Sequence, residues 1–545
     1  MRFLKHIFIF FLLVSIQSKL QGAYYLVPTD VIMIDTNLPV LAGIQPGDTI
    51  ALESGHRPLL TIRNLKGSSN APLTIMNHNG VVLISSNHYF GISIRNCQYI
   101  HFTGTGSADN YGIKIENIDG AGLGAGSGTS DLEIDHIEIN HVNSAGMLIK
   151  TNASCTDFHR ADFVQKNINI HDNLITHTGT EGLYIGSTFY TGKLVNCNGT
   201  DSLIFDPMME NVWVYNNIID HTGWDGLQVS SATNSEVYNN FITNNSMNNK
   251  ANQKSGIILG GGFEGRAYNN VIQEGLGNGI AVFANGNTSV YNNHILRSSG
   301  SYGLYLNDKV ADSNATNFHF VNNLIVSPEI SGVFLYLNKI PGSSVIISNN
   351  AIYDPGYLQQ YEQQNQAIKA YVNSNSSNVI VESNFFRSDI EPSHYADVSS
   401  DNYNLTPASP LIDQGKTYPQ LQFITEDCDG DLRFQGHFID IGPQESPFSS
   451  SIDEQVISKS FGISLPQPIR NKSSEARIYS KHNVVINLFL VSLNGRREPL
   501  FENLSIASGT TFKSFDFSNL PPGMYMLCAE GNEERLLTQK IIVLN

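Results

Sequence analysis

The strongest constraint on this chain is a motif that recurs without a fixed period. Alternating apolar runs end in Asn, as INIHDN, VWVYNN, SEVYNN, GRAYNN, TSVYNN, FHFVNN, VIISNN and VIVESN. After each comes a short apolar piece, a turn and a second alternating strand: GMLIK, GLYIG, GLQVS, GIILG, GIAVF, GLYLN, GVFLY and AIKAY. These strands open at Gly146, Gly182, Gly226, Gly256, Gly279, Gly303, Gly332 and Ala367, and GISIR from Gly91 and GIKIE from Gly112 extend the series upstream. Successive openings lie 21 residues apart (Gly91 to Gly112) to 44 residues apart (Gly182 to Gly226). Such a unit cannot bury its own apolar face and must stack on its neighbours, which means a solenoid. The strands are short and alternate with a period of two, and long 3.6-period helices are missing. The expectation is an all-β parallel solenoid of about ten coils, three strands to a coil, with turns that tolerate insertions. Asn173, Asn217, Asn240, Asn270, Asn293, Asn323, Asn350 and Asn384 fit an internal ladder, each amide bonding its equivalents above and below.

Both ends read differently. MRFLKH is basic, IFIFFLLVSI is apolar and QSKLQGA ends in small residues, so residues 1–22 are expected to be a secretory signal peptide. No later stretch is long and apolar enough for a membrane span. The solenoid is expected over 23–445, a polar linker over 446–474, and a small Ig-like β-sandwich over 475–545, where VVINLFLVSLNG, FKSFDFSNLPPGMYML and LLTQKIIVLN alternate between Gly and Pro turns. A formal charge of −17 argues against a nucleic-acid partner but leaves room for a local basic groove. The five cysteines form no CxxC pair. Cys155 and Cys197, in long inserts of successive repeats, are the best disulfide candidates; the alternative is that all five are free thiols.

The Asn ladder resembles that of the right-handed parallel β-helix proteins of the pectate-lyase superfamily. The stretch QPGDTIALESGHRPLLTIRNLKGSSNAPLTIMNHNG is similar to the opening segment of secreted polysaccharide lyases of the chondroitinase B and alginate lyase type. NYNLTPASPLIDQG with DCDGDLRFQGHFIDIGPQE resembles their closing coil; Asp427, Asp429 and Asp431 lack the later Glu of an EF-hand and fit a structural cap. The tail, with LNG, FSNLPPGMYML and QKIIVLN, resembles the sorting domain read by the type IX secretion system. The resemblance implies a secreted or outer-surface, polysaccharide-acting protein, with the outer-membrane secretion machinery as a second partner. A monomer is expected.

Chemistry is harder to read. HTGTEGLYIG at 177–186 and HTGWDGLQVS at 221–230 are near-copies. Aligned on the strand glycines, His141, His177 and His221 share one slot, and Glu181 and Asp225 share another. Coils stack about 4.8 Å apart, so these become neighbours and the repetition is structural first. Two carboxylates about 5 Å apart also match a retaining glycosidase pair, or a Ca²⁺ site, and a nearby His can shuttle protons. Glu181, Asp225, His177, His221 and His141 are therefore the catalytic candidates. Lys150, Tyr184, Gln228, Trp224, Lys254 and Tyr305 are the substrate-binding candidates. An outward column is expected to run Ser93, Lys114, Leu148, Tyr184, Gln228, Ile258, Ala281, Tyr305, Phe334, Lys369, walled by inserts at 151–166 and 187–210. Lys254, Arg266 and Arg297 are further bases or charge neutralisers. Apart from Ca²⁺, no metal or cofactor is expected.

The polygalacturonase pattern is absent: there is no NTD and no DD pair, and the GH pairs are Gly55-His56 and Gly436-His437. The Lys and Arg arrangement of chondroitinase B-type lyases is not recognisable either. Two readings stand. One is a lyase or glycoside hydrolase acting on a plant or algal-type glycan; the other is a non-catalytic, glycan-binding or adhesin-like surface protein.

Overall fold

In the computed structural model, residues 22–447 are described apart from 309–315, 338–341, 377 and 437; 461–543 are described apart from 465–472, 481, 493–496, 519, 521–522 and 532–533. The signal-peptide segment and much of the expected linker lie outside the described residues. The chain divides into two compact units, 1–448 and 449–545.

The first unit is a right-handed parallel β-helix. One coil shows the plan: Val164–His171, Leu174–Thr178 and Leu183–Ile185. The next coil, Met208–Tyr215, Ile218–Thr222 and Leu227–Val229, pairs with it strand on strand, all parallel. Repetition makes three ladders. The first and second form one sheet of 24 strands, and the third forms a sheet of 12. Alternation sends Ile170, Ile175, Leu183, Ile185, Val212, Val214, Ile219, Leu227 and Val229 inward, where all are fully buried.

The Asn pair at the corner between the first and second ladders has two separate jobs. The first residue of each pair turns the chain: Asn216, Asn239, Asn269, Asn292, Asn322 and Asn349 have φ between 54° and 58°. Asn tolerates this left-handed region better than most residues. The second residue stays inside. Asn173 Nδ2 donates to Asn217 Oδ1 at 3.0 Å, and the chain continues through Asn240, Asn270, Asn293, Asn323 and Asn350 to Asn384 at 2.9–3.0 Å. Each link also satisfies backbone groups; Asn240 Nδ2 donates to the Val214 and Tyr238 carbonyls, and its Oδ1 accepts from Asn217 N.

Three details differ from the sequence reading. The third ladder has twelve strands, not about ten. GIKIE from Gly112 belongs to the second ladder, as Ile113–Ile118, and the third-ladder strand of that coil is Ala121–Gly126, which pairs with Phe90–Arg95. AIKAY is not a strand: Ile368–Tyr371 is helical after a Gln-rich helix, Leu358–Gln363, and Val372–Ser374 takes the ladder position. A polar segment rich in Gln and Ala favours helix over a half-buried strand. Lys114 and Lys369 therefore leave the outward column.

The chain from Tyr395 to Ile441 folds back along the flank of the last coils, burying Tyr395, Tyr403, Leu411 and Ile441 against Leu324, Val326, Ala351 and Tyr353. Asp427 caps this segment: Oδ1 accepts the Asp429 and Asp431 N–H groups at 2.9 Å, and Oδ2 accepts Glu445 N at 2.7 Å.

The second unit holds a three-stranded and a four-stranded antiparallel sheet around one core that includes Ile463, Ile478, Leu488, Phe515, Leu527 and Ile541. It starts before residue 475, because Phe461–Ser464 pairs with Ser473–Ser480.

Replacing Asn240 by Ala strands donors and acceptors on both sides of the ladder. We expect a loss of about 3–5 kcal/mol, against about 1 kcal/mol or less for Asn239→Gly, measured by denaturant unfolding. Equal losses would show that the turn, rather than the amide ladder, carries the stability.

Candidate functional site

The near-copies HTGTEG and HTGWDG resolve into fold requirements with one exception. His141, His177 and His221 have φ of 54°, 52° and 51°, and Asn117, Asn244, Glu274, Arg297, Ser327 and Asp354 take the same conformation at this corner in other coils. The threonines tie the turn: Thr178 Oγ1 donates to the Thr180 carbonyl and Thr222 Oγ1 to the Trp224 carbonyl, at 2.9 and 2.8 Å. The glycines permit close stacking. A Cβ on Gly182 would lie 2.5 Å from the Gly226 carbonyl oxygen, and one on Gly223 would lie 2.2 Å from that of Gly179. The carboxylates do more than the turn needs: Asp225 ties the next coil with one oxygen only.

Glu181 and Asp225 lie side by side at the head of two third-ladder strands, 5% and 0% exposed. Asp225 Oδ1 accepts the Ser255 N–H at 2.7 Å, while Oδ2 is buried with no partner. Burial, then the neighbouring Glu181 charge, holds the Asp225 carboxyl well above its usual range. Burial raises Glu181 as well, against lowering pulls from its own backbone N–H, from Thr180 and, least, from Lys150. Along the same strand Gln228 Nε2 and Ser230 Oγ are also buried without partners. Across the coils, Lys150 Nζ sits 4.4 Å above the Tyr184 ring and 3.5 Å from its hydroxyl. Tyr184 Oη meets Thr188 Oγ1 at 3.0 Å.

The inserts are firmly attached beside this group. Cys155 and Cys197 are joined by a disulfide. Asp206, fully buried, takes Lys193 Nζ and the Ala153 N–H on Oδ1 and Ser187 Oγ on Oδ2, at 2.7–2.8 Å. One carboxylate thus ties both inserts to the coil.

The other candidates disperse. The histidine rings stack with centroids 4.5 and 4.9 Å apart. The histidines sit at the corner that ends the second ladder and the carboxylates just before the third, so the five ionisable groups occupy two positions of the coil. Trp224 lies under Lys250, 5.9 Å from ring to ammonium, and Lys254 reaches Asn249. Tyr305 shares the outward column of Tyr184 and Gln228, four coils on, stacked with Tyr302 and Phe334. Arg297 forks onto Asp401 at 2.7–2.9 Å and Arg266 lies over Phe423, so both fasten the returning segment.

One constellation went unread because the repeats were aligned on the third ladder. Aligned on the first, YIHFTG, LEIDH and INIHDN place outward residues in two columns. His101 faces Glu133, Thr103 faces Asp135, and Asp135 faces His171. His101 Nε2 is 2.5 Å from Asp135 Oδ2, and His171 Nε2 is 3.0 Å from Glu133 Oε1. Against the pull of burial, these contacts raise both histidines and hold Asp135 down at about 2. His171 heads a stack through Tyr215, Tyr238, Tyr268 and Tyr291 with centroids 4.6–5.0 Å apart. An open cleft of about 290 Å³ has Tyr99, His101, Glu133 and Asn169 in its wall.

A family model described as "Right handed beta helix region" matches residues 208–386. No curated protein sequence matches the chain. Among solved structures, the GH136 lacto-N-biosidase of Eubacterium ramulus aligns at 12% identity over 67% of this chain and 68% of that one, TM-score 0.37. The enzymatically active domain of bacteriophage CBA120 tailspike protein 2 aligns at 11% identity over 94% and 68%, TM-score 0.24. The A-module of the Azotobacter vinelandii mannuronan C-5 epimerase AlgE4 aligns at 11% identity over 63% and 91%, TM-score 0.27. At these scores nothing about the site is carried over from them.

The raised Asp225 carboxyl has a consequence for stability. Below its unfolded value of 3.8 the group is protonated in both states; as pH rises from there through its folded value, the buried charge costs stability. Asp225→Asn keeps the acceptor for Ser255 and removes the charge. The variant should melt above the parent at about pH 8 and level with it at about pH 3.5. A melting difference that does not change with pH would show that Asp225 is not held in its acid form.

Proposed function

We propose that this chain is an exported polysaccharide-acting protein whose chemistry lies on the third ladder, over the coils opening at Gly146, Gly182 and Gly226. The observation that carries this is the Glu181–Asp225 pair. Two buried carboxyls, held toward their acid form next to two unpartnered buried polar atoms, are costly to keep without a use. A carboxyl whose acid form is favoured by burial can donate to a departing glycosidic oxygen, as either a hydrolase or a lyase requires. The Lys150 ammonium beside Tyr184 offers a positive charge to the carboxylate of an acidic sugar, and the clipped inserts supply a wall for binding. An acidic glycan of plant or algal type fits this charge better than a neutral one.

The full chain, screened against acidic and neutral polysaccharides, should shorten an acidic one. Near-ultraviolet absorbance of an unsaturated uronate would mark a lyase; new reducing ends without it would mark a hydrolase. Glu181→Gln and Asp225→Asn should each lower turnover by about 100-fold or more, and Lys150→Ala should weaken binding of acidic chains. Full turnover in both carboxyl variants would overturn this placement. The glycan-binding, non-catalytic reading is favoured by the absence of the polygalacturonase and chondroitinase B-type residue patterns. It predicts binding without cleavage, lost in Lys150→Ala but kept in Asp225→Asn.

Export rests on the basic–apolar leader and the sorting-like tail. No helix among the described residues is long and apolar enough to cross a membrane. Because Phe461–Ser464 already pairs within the sandwich, deleting 461–545 should leave a folded β-helix that is not delivered to the cell surface or medium, followed by fractionation. Normal delivery of that truncation would rule out the sorting role.

A further inference from the structure

We propose that His101, Glu133, Asp135 and His171 bind one divalent transition-metal ion of the zinc class, clamping three successive coils together. One donor atom each from His101, Glu133 and Asp135 lies within 4.8 Å of the others, and this is the one such His, Cys, Asp and Glu group found among the described residues. His171 Nε2 adds a fourth donor, 3.0 Å from Glu133 Oε1 and 4.0 Å from Asp135 Oδ2. Two imidazoles and two carboxylates suit zinc and its neighbours; calcium and magnesium prefer sets made of oxygen alone.

The surroundings aim these donors. His171 Nδ1 is held by Asp172 at 2.7 Å, which leaves Nε2 facing Glu133 and Asp135. A carboxylate behind an imidazole in this way fixes its orientation and strengthens it as a ligand. Stacking on Tyr215, 4.6 Å away and 9° from parallel, fixes the plane of the ring. Asp135 Oδ1 is occupied by Thr103 Oγ1 at 2.5 Å and His136 Nδ1 at 2.6 Å, so Oδ2 is the oxygen turned toward His101. Access is through the neighbouring cleft, whose wall includes His101 and Glu133.

The three coils involved contribute one ligand, two ligands and one ligand in turn, so an ion here would cross-link strands far apart in the chain. Four protein donors close the coordination sphere, which is the pattern of a structural rather than a catalytic ion. The site is independent of the third-ladder reading, since none of its residues belongs to that face.

The test uses the full chain stripped with a chelator, titrated with ZnCl₂ by calorimetry and followed by thermal melting. One ion per chain and a rise in melting temperature are expected, with no comparable response to CaCl₂. His101→Ala and, as a milder change at a half-exposed position, Glu133→Gln should each weaken binding by about tenfold or more. His177→Ala, in the stacked histidine column, should leave it unchanged. Absence of binding, or binding lost in His177→Ala and kept in Glu133→Gln, would overturn the proposal.

Discussion

Coil-to-coil register, held by the buried amides from Asn173 to Asn384, is the constraint on which every other feature depends. Each amide between the two ends bonds its neighbours above and below, and all close backbone groups that the corner would otherwise leave unpaired. Burying those groups unpaired would cost about 1–3 kcal/mol each, so the amides forbid a slip of one residue as well as holding the coils together. Once register is set, residues 23 to 44 positions apart become neighbours in columns. Stacked tyrosines, stacked histidines and paired carboxylates follow from that geometry.

The same constraint separates structure from chemistry in the repeated motif. His at the corner, Thr in the turn and Gly against the next coil all serve packing, and other coils solve the same corner with Asn, Glu, Arg, Ser or Asp. A position that accepts such varied side chains asks only for the backbone conformation. Asp225 differs. Burial raises it, one oxygen lacks a partner, and no packing role requires a charge at that place.

The fold was legible because its cause is local. The Asn corner, the alternating strands and the leading glycines each leave a mark in the sequence. Met33–Ile34, Leu60–Arg63 and Val372–Ser374 lack a leading glycine and went unplaced, and Ala121–Gly126 was passed over for the neighbouring GIKIE. Sites were less legible, since a column is defined by register between coils of unequal length. Lys150, Tyr184, Glu181, Asp225 and Gln228 can be grouped from the sequence because they align on the leading glycines. His101, Glu133, Asp135 and His171 were missed because they align on a different ladder, where no glycine marks the start. Long inserts hid the Asp206 hub for the same reason: its partners Ala153, Ser187 and Lys193 lie on three segments of the chain.

The central claim is that register brings Glu181 and Asp225 together as a buried pair held toward the acid form. Carboxyl ¹³C NMR of protein labelled at aspartate side chains tests it most directly. Buried Asp427 and Asp440 also titrate above the ordinary value of 3.8, so the account predicts a further raised aspartate signal, well above that value, which vanishes in Asp225→Asn while theirs remain. A spectrum in which the signal lost in Asp225→Asn titrates at or below 3.8 would contradict it.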